Sequence, residues 1–88
     1  MNQKFYENQL RKEGFKTIYV WQDGPNAYYP DHTHAEITAH IILEGEMEVT
    51  MKGKTDKYKP GDRFDVSANT VHNAKMGKTC CKYLIGEK

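Results

Sequence analysis

From residue 15 onward the chain is cut into segments too short for a helix of any length. Turn-forming residues stand at Asp23-Gly24-Pro25-Asn26, at Gly45, at Gly53, at Pro60-Gly61-Asp62 and at Ser67-Ala68-Asn69-Thr70. Between them lie FKTIYVW, AYYPDHTH, ITAHIIL, EMEVTM, TDKYK, RFDV, VHNAKM and KTCCKYLIG, runs rich in β-branched and aromatic residues. Alternation is clean where it can be read. Met47, Val49 and Met51 share one face against Glu46, Glu48 and Thr50, and Phe64 and Val66 oppose Arg63 and Asp65. Short strands at near-even spacing, each closed by a turn signal, predict an all-β sandwich or barrel. Pro30 puts its run on a sheet edge or at a bulge, because it cannot donate to a ladder. In FKTIYVW both faces are apolar, which predicts cover on both sides, with Tyr19 and Trp21 under a helix or a partner subunit.

Residues 3–13, QKFYENQLRKE, carry good helix formers, and Gly14 is placed to end them. The 88 residues form one expected domain, with 1–14 an N-terminal helix and 15–88 the β-barrel. Hydrophobic residues make up 38%, so the core is thin and a homodimer is expected as a way to bury more apolar surface. A net charge of +1 makes no electrostatic case for nucleic acid or a membrane, and neither is an expected partner. The two cysteines, Cys80 and Cys81, are neighbours and point to opposite faces of a strand. They read as small apolar fillers, and a reducing, cytoplasmic location follows.

Three of the four histidines, His32, His34 and His40, fall within one stretch, PDHTHAEITAHIILEGE. His32 and His34 are two apart, so on a strand they project the same way with Cα atoms roughly 6–7 Å apart. Imidazoles at that spacing can lean onto one ion at ~2.0–2.2 Å. Taken alone, such a pair is more often surface or hydrogen-bonded histidines than a metal site. His72 follows a turn signal late in the chain and can bring a third imidazole from a distant strand.

At this point the sequence resembles the cupins. Their two motifs run G-x5-H-x-H-x(3–4)-E-x6-G and G-x5-P-x-G-x2-H-x3-N. The first falls on Asn26, His32, His34, Thr38 and Gly45, and the second on Gly61, Ser67, Asn69, His72 and Met76. The resemblance covers residues 26–76 and implies a cupin-type double-stranded β-helix, or jelly-roll barrel. It also implies a divalent transition metal held by the histidines, with Fe, Ni, Cu, Zn or Mn as candidates. Thr38 departs from the pattern, because it stands where such cupins carry a glutamate ligand. His40, at the same strand parity and one layer deeper, is the expected fourth ligand beside His32, His34 and His72. Two other roles stay open for it: a hydrogen bond to substrate, or a satisfied place in the core. Glu36 reaches the ion only if a bulge re-aims it.

Neutral imidazoles leave an ion its full charge and favour a small anionic ligand. The expected function is a metal-dependent enzyme, dioxygenase-like or an isomerase, acting on such a molecule in the barrel. The alternative is a non-catalytic ligand-binding or sensor domain with the same pocket, and a metal-free structural barrel stands behind both. Tyr28, Met47, Met51, Phe64, Val66 and Tyr83 are candidate pocket walls, and Asp23 and Asp31 sit in turns that need no function.

Overall fold

A computed structural model describes residues 3–88; Met1 and Asn2 of the expected helical segment lie outside the described residues. The helix α1 spans Gln3–Lys12. It ends where Gly14 takes φ 97° and the Phe15 N–H reaches back 3.1 Å to the Leu10 carbonyl. That is a glycine C-cap, closed by an apolar residue just beyond it. Eight strands follow: β1 Thr17–Asp23, β2 Tyr28–His32, β3 Thr38–Glu44, β4 Met47–Met51, β5 Lys54–Tyr58, β6 Arg63–Val66, β7 His72–Met76 and β8 Cys81–Glu87. Each falls within or close to a run marked by alternation in the sequence. No helix among the described residues is long and apolar enough to cross a membrane.

The strands form two antiparallel four-stranded sheets, ordered β1-β8-β3-β6 and β2-β7-β4-β5. The chain crosses repeatedly from one sheet to the other, so most sequence neighbours face each other across the interior instead of pairing. This is the jelly-roll arrangement. One core fills the space between the sheets and includes Ile42, Met47, Val49, Val66, Met76 and Tyr83. A second lies between α1 and the outer face of the first sheet, with Leu10, Phe15, Ile41, Leu43 and Leu84. β3 serves both, and all its residues but Glu44 are buried. Thr38, His40 and Ile42 point to the interior, while Ala39, Ile41 and Leu43 point under the helix.

The helix covers one face of β1. Ile18 and Val20 pack on the helix-side core, but Tyr19 and Trp21 face the other way and are 39% and 50% exposed. The helix covers only the smaller pair, because it lies over the outer face of the neighbouring strands β8 and β1.

Two asparagines stand where the resemblance has glycines. Asn26 (φ 58°) and Asn69 (φ 62°) take the left-handed conformation that asparagine tolerates best after glycine. Gly45 allows no such exchange. Its φ is 80°, and a Cβ there would run into the Cys80 carbonyl oxygen.

Candidate metal centre

The site begins with an irregularity in β2. Tyr29 pairs with Ala74, yet His32 pairs with His72, so three steps along β2 match two along β7. The extra residue falls at Pro30-Asp31, where a bulge relieves the ladder of the missing proline N–H. A bulge reverses strand parity. Tyr29 and His32 therefore both face the interior, while Tyr28 turns out and is 58% exposed. Tyr28, a candidate for the pocket wall, is therefore not one: the bulge turns it outward. Met47, Phe64 and Tyr83 do line the cavity; Met51 and Val66 contribute to the core without lining it.

His34 lies just beyond β2, in the connection between the sheets. There it meets the other two imidazoles. Ring centroids are 4.2 Å apart for His32 and His72, 4.7 Å for His34 and His72, and 5.0 Å for His32 and His34. One ring nitrogen from each lies within 4.8 Å of those of the other two. The Nδ1 of His32 is 2.7 Å from the Pro30 carbonyl, and that of His72 is 2.9 Å from the Thr70 carbonyl. A carbonyl only accepts, so both Nδ1 atoms donate and the Nε2 lone pairs are left free. His34 Nδ1 lies 3.3 Å from Thr38 Oγ1, so the hydroxyl at the unusual position 38 touches an imidazole of the group.

Burial lowers the pKa of His34, and the neighbouring His72 and His32 lower it further against the opposing pull of Glu87 and Glu36. Burial likewise lowers that of His72, opposed by the Thr70 carbonyl. Both shifts favour neutral rings, the form that ligates. Three neutral nitrogen donors converging from two strands and a connection fit one divalent transition ion. Glu36 is exposed and stands outside the group.

His40 also stands outside that group of three. It lines the same cavity from deeper in β3, 6.3 Å from His34 between ring centroids. Its ring is stacked on Phe64, it is 7% exposed, and its Nδ1 has no hydrogen-bond partner. Burial pushes its pKa down to about 3, with repulsion from His34 and His72 adding to the effect. The cavity has a volume of about 280 Å³, enough for a small molecule, and its walls away from the histidines are mostly apolar.

Two acidic residues, Asp23 and Glu87, belong to the cavity beyond what the sequence indicates. Asp23 accepts hydrogen bonds from Trp21 Nε1 (3.0 Å), Tyr29 OH (2.6 Å) and Tyr83 OH (2.7 Å). It thereby ties together three aromatic residues of the cavity. Burial and the Asp23 carboxylate both raise the pKa of Tyr83. Glu87 at the end of β8 also lines the cavity. Neither carries a local signal, since their partners lie on other strands.

The family model for the cupin domain, Cupin_2, matches residues 19–84. A search of curated proteins returns no match. Among solved structures, a cupin superfamily protein from Desulfitobacterium hafniense is similar, with 23% identity and TM-score 0.72 over 80% of this chain and 63% of its own. The DMSP lyase DddQ from Ruegeria pomeroyi aligns with 26% identity and TM-score 0.74 over 81% of this chain and 36% of its own. KdgF from Halomonas aligns with 20% identity and TM-score 0.67 over 81% and 67%. The chain thus spans between about a third and two thirds of the length of these proteins. The family match over most of the chain and the two-sheet barrel agree: this chain belongs to the Cupin_2 family of cupin domains.

Proposed function

We propose that His32, His34 and His72 hold a divalent transition metal (Fe, Ni, Cu, Zn or Mn) and that the protein is a metal-dependent enzyme acting on a small anionic molecule. The observation that carries this reading is the convergence of three ring nitrogens within 4.8 Å at the wall of a small apolar cavity. A bound ion supplies Lewis acidity or, as iron(II), dioxygen activation. The chain's own residues do the rest. Pro30, Thr70 and Thr38 fix the imidazole orientations. Met47, Val49 and Met76 exclude water from the inner end. The orphaned nitrogen of His40 supports a hydrogen bond to the bound molecule, in preference to its role as fourth ligand.

A binding module without turnover is the second reading, favoured by the mostly apolar surface of the cavity walls away from the histidines. The exposed Tyr19 and Trp21 on the edge strand β1 support a homodimer, and two unpaired thiols are in keeping with a cytoplasmic setting.

Metal analysis of protein purified without a histidine tag or chelator tests the centre. Near-zero metal that none of the five ions restores overturns it. Oxygen uptake and product analysis with thiols, diketones and hydroxy acids then separate turnover from binding.

A further inference from the structure

The missing acid at position 38 has a counterpart across the sheet. Thr38 of β3 pairs directly with Glu87 of β8, and residues directly opposite in an antiparallel pair project from the same face. Both line the cavity that holds the three imidazoles. Thr38 Oγ1 touches His34, so Glu87 stands one cross-strand neighbour from the proposed ligand group.

The surroundings of Glu87 point the same way. Among the described residues no ion pair involves it; its carboxylate is held only by the Tyr19 hydroxyl, which donates to Oε2 at 3.3 Å. The half-buried carboxylate thus reaches the cavity with one weak tether and no competing cation among the described residues. Its oxygens are not part of the close group of imidazole nitrogens, so it acts from outside the nitrogen set.

We infer that Glu87 is the carboxylate partner of this metal centre, delivered across the β3–β8 pair and not along β3. The inference rests on the metal-binding reading above. In this role Glu87 offsets the charge of the ion and accepts a hydrogen bond from whatever occupies the open side, while Thr38 orients His34. Acid and histidines then come from different sheets, and the identity of residue 38 no longer decides whether the centre carries an acid.

Cobalt(II) titration of the metal-free protein tests this, followed by absorption in the visible and by the thermal stability of the apo form. Wild type is measured first: absence of saturable 1:1 binding overturns both readings. Given binding, Glu87→Gln is expected to weaken cobalt affinity about tenfold or more and to alter the visible bands. The apo protein is expected to be as stable as wild type, because among the described residues the Glu87 side chain makes no ion pair and a single long hydrogen bond to Tyr19. The double variant Thr38→Glu/Glu87→Gln is expected to recover most of the lost affinity. Cobalt affinity within twofold of wild type with an unchanged spectrum in Glu87→Gln overturns the role of Glu87 and leaves the histidine centre standing. A fall in apo stability that accounts for the lost affinity also overturns it, by making the residue structural.

Discussion

The His40 imidazole lies almost parallel to the Phe64 ring, with centroids 4.5 Å apart and planes 8° from parallel. The pair packs a polar ring into the barrel as though it were apolar, and this is tolerable only while the ring is neutral. The folded pKa of about 3 lies below the ordinary 6.5. Between these values the unfolded chain takes up a proton that the native state refuses, so stability is lost as pH falls from about 6.5 toward 3. At pH 5 the loss is about 2 kcal/mol. Urea unfolding of the apoprotein at pH 7 and pH 5 is expected to show this extra loss in wild type. His40→Leu is expected to lack it.

Thr38 is expected to act on metal affinity through His34. Thr38→Val keeps the volume of a residue that is 2% exposed but removes the oxygen beside His34 Nδ1. Loss of such an outer contact typically costs about tenfold in affinity. Competition with a zinc chelator measures it, and an unchanged affinity would mean that the contact does not orient the ring.

Asp23 should matter for both stability and the cavity mouth. Asp23→Ala leaves the largely buried Tyr83 hydroxyl and that of Tyr29 without their acceptor, at a cost of about 2 kcal/mol or more. The only tryptophan, Trp21, loses its tether at the same time. Denaturant melts give the first effect, and a shift in tryptophan emission with faster acrylamide quenching gives the second.

Gly45→Ala is expected to destabilise by about 3 kcal/mol or more, because left-handed strain adds to collision with the Cys80 carbonyl. Gly53→Asn is the contrasting change. Gly53 also has positive φ, but nothing lies within 4 Å of its absent Cβ. Asparagine tolerates that conformation, so the cost should stay under about 1 kcal/mol. Equal melting temperatures for the two variants would contradict the close approach at Gly45.

The strands and the His32–His34 pair were legible because their signals are local: alternation, turn residues and an H-x-H spacing; His72, remote in the chain, joined them through the resemblance to the second cupin motif. The side chains around them were less so. Pro30 announced an edge or a bulge, but only pairing with β7 decides that one residue is extra, and that decision sends Tyr29 inward and Tyr28 out. The two apolar faces of β1 looked alike in sequence. Which one the helix covers depends on how α1 sits on β8 and β1. Asp23 read as a turn residue and Glu87 carried no signal, because their meaning lies in Tyr83 and Thr38, on strands remote in the chain.

His32 and His72 share a small device: each ring is tied to the carbonyl two residues before it. The aim of these rings is thus set when the chain folds, before any ion arrives. Capture of a metal then requires little rearrangement, so empty and loaded crystals of this protein should be isomorphous, and ions should soak into the lattice without cracking it.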